Sequence, residues 1–218
     1  MVPTLNYGSS TLETVGSVRR GRQVWVLARI RDKETTIGDA DEIARYILLS
    51  NSHDGSLPVR MRFTPARVVC NNTLCTAHGS EASTLLRIRH TSGLYGSLRS
   101  IREIMDLPGG EFYATSGQYR TLMKRRIDKS TLELYVRIVF SLLEEKGKEL
   151  IPKILHLYDH GRGSDMAGNT CWGAYDAFNG YLNYFRGKTQ DDTLSSLWFG
   201  DSARVNKRAL DVTIEMAT

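Results

Sequence analysis

Hydrophobic and polar side chains alternate along the first half of the chain, which is the pattern of a β-sheet with one buried face. Residues 21–31 alternate with period two, and their aliphatic face is made by Val24, Val26, Ala28 and Ile30. Apolar and β-branched side chains predict further strands over residues 43–51, 58–70 and 84–90. Asp54-Gly55 predicts a tight hairpin between the second and third strands, because such turns need positive φ.

Two segments of this half lack the alternation. Residues 1–14 are predicted to form an irregular arm, and the polar residues 32–40 are predicted to form a connection. Pro65 lies inside the third predicted strand and has no N–H to donate. We therefore expect a bulge or a break near Thr64 and Pro65.

Hydrophobic residues in the second half recur at helical spacing. Asn71 or Asn72 can cap a helix that begins directly after the third strand. Later helices are predicted over residues 94–105, 111–127, 131–145, 171–185 and 201–216, the last of them capped by Asp201 or Ser202. The helix over 131–145 is strongly apolar and is expected at the centre of a helical layer.

Three features of the second half are not assigned by periodicity alone. Residues 158–170 are rich in glycine and polar side chains and are predicted to form a loop, and residues 194–200 are predicted to form a short apolar docking turn. Aromatic side chains at helical spacing are more often core than ligand contacts. We therefore expect packing roles for Trp172, Tyr175, Phe178, Tyr181, Tyr184 and Phe185.

These elements predict an α+β fold. A small, mostly antiparallel sheet of about four strands, in the order β-β-β-α-β, precedes a C-terminal helical layer. The length of 218 residues is typical of a single domain, here residues 1–218. Within it, residues 15–91 form the sheet-rich half and residues 92–218 form the helical half.

Charge, cysteine content and hydropathy limit the classes of partner. The chain has 29 Lys and Arg residues against 24 Asp and Glu residues, and the net charge of +5 favours an anionic partner. No segment has the ~18 apolar residues of a membrane span, and residues 1–10 lack the regions of a signal peptide. We therefore expect a cytoplasmic protein with no membrane partner, in which the cysteines are free thiols: Cys70, Cys75 and Cys171.

The segment RVVCNNTL carries a resemblance to a known family. Its motif residues are Arg67, Cys70, Asn71, Asn72, Thr73 and Leu74. With RIRHT at 87–91, WGAYDAFNGYLNY at 172–184 and SLWFGDSARVNKRAL at 196–210, it makes the chain similar to the phage/plasmid-like protein family, domain of unknown function 932. Tyr175-Asp176-Ala177 departs from the family pattern, which has an asparagine-alanine pair there.

The resemblance extends from about Gly16 to Leu210 and implies a protein that a phage or plasmid encodes and that works in the cytoplasm of a bacterial host. It implies no particular activity, since none is established for the family. Other members carry more residues at the N-terminus, so we expect a segment that precedes Leu5 elsewhere to be absent here.

Arginines recur on one face of the predicted strands. The set is Arg29, Arg31, Arg60, Arg62, Arg87 and Arg89, and Trp25 shares a face with the first two. If these faces coincide, the sheet has a basic side opposite a helix-covered apolar side. Guanidinium groups would then contact phosphates, and Trp25 would stack on a base. An ordinary half-exposed antiparallel sheet would also direct arginines to solvent, so this alternative stays open.

Other chemistry is less well supported by the sequence. Residue types that bind zinc occur at Cys70, Cys75, His78 and His90. Their spacing is not that of a zinc knuckle, so neither a metal nor a cofactor is predicted. The candidate catalytic residues are His156, His160, Arg162 and Asp165, in and beside the glycine-rich segment. A mobile polar loop explains these residues equally well.

The leading hypothesis is a phage- or plasmid-encoded nucleic-acid-binding protein without catalysis of its own, which holds single-stranded or recombining DNA and forms a homo-oligomer. The order of strands, hairpin and helix is similar in outline to the core of phage single-strand annealing recombinases, which is a fold-level analogy. A protein that binds a host protein to block a defence system is the first alternative. A metal-dependent or thiol enzyme is the second.

Overall fold

A computed structural model describes residues 6–7, 10–30, 35–69, 84–88, 110–141 and 144–218 of the chain. The strands in these ranges are β1 (Asn6–Tyr7), β2 (Ser10–Val18), β3 (Gln23–Ile30), β4 (Thr35–Ile37), β5 (Asp41–Ser52), β6 (Val59–Arg67) and β7 (Thr84–Ile88). They form one sheet of antiparallel pairs in the order β1-β2-β3-β5-β6-β7, and β4 pairs with one end of β5.

The helices of the described ranges follow the sheet in sequence. They are α1 (Gly110–Lys124), α2 (Lys129–Phe140), α3 (Glu144–His160), α4 (Ser164–Ala167), α5 (Cys171–Tyr184), α6 (Gln190–Phe199) and α7 (Asp201–Ala217). The predicted α+β architecture is therefore confirmed, with more strands and helices than the sequence indicated.

The four predicted strands are present as β3, β5, β6 and β7, and Gly55 in the β5–β6 hairpin has φ of 72°. The expected bulge at Pro65 is wrong, because β6 pairs with β5 in unbroken register from Arg60 to Arg67. β7 pairs with residues 59–62 of β6. Pro65 therefore lies on a part of β6 where only β5 is its described neighbour, and its missing N–H breaks no pairing on the other side.

Three strands were not predicted. The supposed arm contains β1 and the first half of β2, which pairs with β3 along its length, and the supposed connection contains β4. In β2 the register shifts between Leu12 and Thr14, so Glu13 forms a bulge. A bulge interrupts the period-two alternation by one residue, which explains why the pattern did not reveal the strand.

Several helix boundaries also differ from the expectations. The helix predicted over 131–145 ends at Phe140, because Ser141 adopts a left-handed conformation with φ of 49°. α3 was not predicted, since Pro152 lies inside it, and together with α4 it takes up much of the expected loop. The docking turn is the longer helix α6, and Gly200 occupies the cap position of α7. The helices expected from Asn72 and over 94–105 lie outside the described residues.

The centre of the helical layer is α5, not the helix over 131–145. Trp172, Tyr175 and Phe178 of α5 are fully buried, which confirms their packing role. Their rings contact Tyr119 of α1 and Tyr135 of α2, with centroids 4.8 Å apart for Tyr119–Trp172 and 5.0 Å apart for Tyr135–Phe178. α2 lies at the edge of the layer, because it buries only one side.

Arg67, the last residue of β6, is fully buried and joins the sheet to the helical layer. Its Nε lies 2.8 Å from both carboxylate oxygens of Asp41, at the start of β5. Its Nη1 lies 2.6 Å from Oδ2 of Asp176 on α5. Its Nη2 donates to the carbonyl oxygen of Gly163 at 2.7 Å. One side chain therefore contacts β5, α5 and the α3–α4 connection.

The surroundings of Arg67 fix this arrangement. The indole Nε1 of Trp172 donates to Oδ2 of Asp41 at 2.7 Å, so the Asp41 carboxylate has partners in both layers. Gly163 has φ of 79°, and a β-carbon there would lie 2.9 Å from Nη2 of Arg67. Only glycine allows the chain to approach the guanidinium in this conformation without strain.

α6 docks on the sheet through a different contact. Trp25 of β3 and Trp198 of α6 have ring centroids 6.0 Å apart, and both side chains are buried. The Trp25 ring lies against Gly16 of β2, where a β-carbon would be 2.6 Å from Cζ2 of Trp25. The backbone N–H of Arg19, in the β2–β3 turn, donates to the Asp191 carboxylate of α6 at 3.1 Å.

The first prediction concerns the buried charges. Replacing Arg67 by Met should lower the free energy of unfolding by about 3–5 kcal/mol, because it leaves the Asp41 and Asp176 carboxylates buried without their cation. Chemical denaturation measures this change. Arg204→Ala is the matched control: it breaks an exposed pair with Asp201 on α7 and should change the unfolding free energy little. A similar small effect of both substitutions would contradict the structural role of Arg67.

The second prediction concerns Gly16. Gly16→Ala should destabilise the protein by about 1–3 kcal/mol, because the added methyl group displaces the Trp25 ring from Trp198. A shift in tryptophan emission should accompany the destabilisation. Gly117→Ala, in α1, adds the same atom where no described atom lies within 4 Å, and should stabilise the helix by about 0.5–1 kcal/mol. Equal effects at the two positions would rule out the proposed contact.

Candidate functional site

The register of the strands determines which arginines share a face. Trp25 pairs with Ser50, Ser50 pairs with Arg60, and Arg60 pairs with Arg87, so these side chains form one row across the sheet. Arg62 and Arg29 lie in the next two rows of the same face, opposite Leu48 and Tyr46. The prediction that these arginines share one face of the sheet is confirmed for the four that the structure describes: Arg29, Arg60, Arg62 and Arg87. We call this surface the basic face.

Arg60 and Arg87 face each other directly across β6 and β7. Two like charges in such a pair repel each other. Partial burial lowers the pKa of the Arg60 guanidinium below its usual value, and repulsion from Arg87 lowers this pKa further. The buried Nε of Arg60 has no hydrogen-bond partner among the described residues. An anion bound between these two arginines would relieve the repulsion.

Arg29 lies at the other end of the basic face and has an acidic partner. The bulge in β2 directs Glu13 toward it, with Nη1 of Arg29 3.7 Å from Oε1 of Glu13. Tyr46 donates its hydroxyl hydrogen to Oε2 of Glu13 at 2.7 Å. Burial and this hydrogen bond raise the pKa of Tyr46 above its usual range, so Tyr46 remains a donor. Arg29 therefore already has a carboxylate beside it, with which a phosphate would compete.

The structure corrects the expected role of Trp25. We expected an uncovered basic face with Trp25 available for stacking, but the Trp25 side chain is only 7% exposed and lies beneath Trp198. α6 therefore covers the part of the basic face that surrounds Trp25. The sequence did not show this cover, because the segment of α6 was expected to be a short turn.

A cavity of about 610 Å³ lies between the basic face and α6. Its floor is the sheet, with Leu27, Tyr46 and Ala66, and the connection between α5 and α6 forms a wall. Exposed polar groups at its edge include Glu13 and Lys188. We call it the sheet cavity.

A second cavity, of about 380 Å³, lies between α3 and α5, and we call it the α3–α5 hollow. It brings together three of the candidate residues of the glycine-rich segment, His156, His160 and Arg162. Asp165 does not line it. The residues that the sequence did not assign to a site are Asp176, Tyr184 and Phe185.

Tyr184 and Phe185 were expected in the core but are 55% and 59% exposed. Both lie where α5 ends, since Tyr184 is its last residue and Phe185 is its C-cap. Tyr184 also lines the sheet cavity, so the two cavities meet at this residue.

The remaining predicted residues divide into two groups. Arg67 of the family motif is a buried structural residue, as described above. The others lie outside the described residues, so the structure gives no account of them: Arg31, Arg89, Cys70, Asn71, Asn72, Thr73 and Leu74. The zinc-type residues Cys75, His78 and His90 also lie outside the described residues.

The described ranges contain neither a cluster of metal ligands nor a membrane-spanning helix. No group of three or more His, Cys, Asp or Glu side chains there is placed to hold a metal ion. No helix in these ranges is long and apolar enough to cross a membrane. Cys171 is a free, buried thiol, and burial raises its pKa.

Comparisons with known proteins identify a family but no activity. No curated protein matches the chain, and no solved structure matches it. The family model described as "Domain of unknown function (DUF932)" matches residues 4–207, which is most of the 218-residue chain. The chain therefore belongs to the DUF932 family.

Proposed function

We propose that this protein binds single-stranded DNA on its basic face, without catalysis of its own. The observation that carries the proposal is the pair of opposed arginines, Arg60 and Arg87, with Arg62 beside them on the same face. In this proposal the protein is encoded by a phage or plasmid and works in the cytoplasm of the host.

The spacing of these arginines suits a polyanion. Neighbouring strands lie about 4.8 Å apart, and alternate residues of one strand lie about 6.8 Å apart. Arg60, Arg62 and Arg87 therefore emerge within a patch about 7 Å wide. A flexible single strand can place neighbouring phosphates on such a patch, and each phosphate that binds there releases a counterion.

Two further observations favour a nucleic acid. The net charge of +5 attracts polyanions over a distance, and this attraction weakens as the salt concentration rises. The sheet cavity lies on the same face of the sheet, with Trp25, Leu27 and Tyr46 in its lining, and its volume could receive a base. We also propose that the protein forms homo-oligomers, since cooperative binding along a strand is common among proteins of this kind.

The test is charge reversal on the basic face. Arg60→Glu combined with Arg62→Glu should weaken binding to a fluorescein-labelled oligothymidylate by tenfold or more, as measured by fluorescence anisotropy. The slope of log affinity against log salt should become shallower by about 0.7 for each phosphate that the variant no longer neutralises. Binding should weaken to a similar extent for all sequences, because an arginine that binds phosphate reads no sequence information.

The control reverses one charge elsewhere. Lys124→Glu, at the exposed end of α1, should leave DNA affinity and salt slope close to those of the wild type. Wild-type affinity that is indifferent to salt would contradict the proposal. If the double variant instead keeps DNA binding intact, the DNA binds elsewhere and the basic-face proposal fails. If the wild type binds no DNA, recognition of a host protein becomes the better hypothesis.

A further inference from the structure

Two exposed aromatic side chains lie side by side at the end of α5. Tyr184 and Phe185 are more than half exposed, and both line the α3–α5 hollow. The opposite wall carries His156 and His160, one helical turn apart on α3, with ring centroids 5.1 Å apart. Arg162 follows them at the rim. The hollow therefore has an aromatic wall and a wall of nitrogen donors.

We propose that the α3–α5 hollow binds one nucleotide. The base would stack on Tyr184 and Phe185, because every base presents a π-face and exposed aromatic rings are the usual platform for it. The phosphate would be held by Arg162, with the imidazole N–H groups as further donors. The proposal extends the DNA-binding function. Binding of a DNA strand in the hollow rests on that proposed function, whereas binding of a free nucleotide does not.

The charge of the hollow favours an anionic ligand. Asp176 is its one acidic lining residue among the described ranges, and its Oδ2 lies 2.6 Å from Nη1 of the buried Arg67. Arg67 is shared with Asp41, so it offsets only part of the carboxylate charge that a phosphate in the hollow would meet. The remaining ionisable lining groups, apart from the tyrosine, are basic: His156, His160 and Arg162.

The hydrogen bonds of Arg67 also fix the backbone at the rim of the hollow. The carbonyl oxygen of Arg162 accepts a hydrogen bond from Nη1 of Arg67 at 3.4 Å, so the backbone of the rim is tied to the interior. Ala177 and Gly180 of α5 form the floor, and their small size leaves room for a planar ring. A volume of about 380 Å³ falls within the ~300–1,000 Å³ typical of small-molecule sites.

The position of the hollow relates it to the basic face. Tyr184 lines both the hollow and the sheet cavity, whose floor is the basic face. Arg60, Arg62 and Arg87 do not line the sheet cavity, so a strand that binds both these arginines and the hollow would have to cross the sheet face and this cavity. Stacking, which the sequence assigned to Trp25, would then be performed by Tyr184 and Phe185.

The experiment uses two probes on the full chain, deoxyadenosine 5′-monophosphate (dAMP) and labelled oligothymidylate. Isothermal titration calorimetry should show dAMP binding, and Phe185→Leu should weaken it about tenfold, because leucine keeps apolar bulk but removes the π-face. Arg162→Gln should weaken dAMP binding without affecting deoxyadenosine, which has no phosphate. Tyr113→Leu, which changes a 51% exposed aromatic residue of α1, is the matched control and should have no effect.

The outcomes separate the two proposals. Absence of dAMP binding at millimolar concentration, or binding that Phe185→Leu and Tyr113→Leu affect equally, overturns the nucleotide site. Abolished oligothymidylate binding in the Arg60→Glu, Arg62→Glu variant with dAMP binding unchanged supports both proposals. If that variant keeps its oligothymidylate affinity while Phe185→Leu no longer binds dAMP, the hollow stands and the basic-face proposal fails.

Discussion

The buried guanidinium of Arg67 holds the sheet and the helices in one arrangement. It forms ion pairs with Asp41 in β5 and with Asp176 in α5, and a buried carboxylate without such a partner would be strongly unfavourable. It also bonds to the carbonyl oxygen of Gly163. Both candidate surfaces depend on this contact. The α3–α5 hollow lies between elements that Arg67 ties together, and the basic face is built on β6, the strand that Arg67 ends.

A second constraint divides the basic face into two parts with different roles. Where α6 lies on β3, Trp25 packs under Trp198 and serves stability. Where β6 pairs with β7, Arg60 and Arg87 oppose each other, and an anion bound there would lower their mutual repulsion. Stabilisation and ligand binding thus occupy different parts of one face. Of the exposed aromatic pair at the end of α5, Tyr184 lines the sheet cavity, and both Tyr184 and Phe185 line the α3–α5 hollow.

The sequence predicted the elements whose patterns are local and regular, such as β3, β5 and the aromatic helix α5. It missed β2 because the bulge at Glu13 breaks the alternation, and it missed α3 because Pro152 lies inside it. The shared face of the arginines followed from period two. Arg67 and Asp41 are 26 residues apart and meet only in the folded chain, so no local pattern could have paired them. The cover over Trp25 was hidden for the same reason.

The claim that DNA lies on the basic face is tested most directly by mapping arginine reactivity. Phenylglyoxal modifies accessible arginines, and mass spectrometry reads each position with and without oligothymidylate. The account predicts that DNA protects Arg62 and Arg87, while Arg125 and Arg204, which are exposed on the helical layer, react equally in both samples. Unchanged reactivity at Arg62 and Arg87, with protection confined to the helical layer, would contradict it.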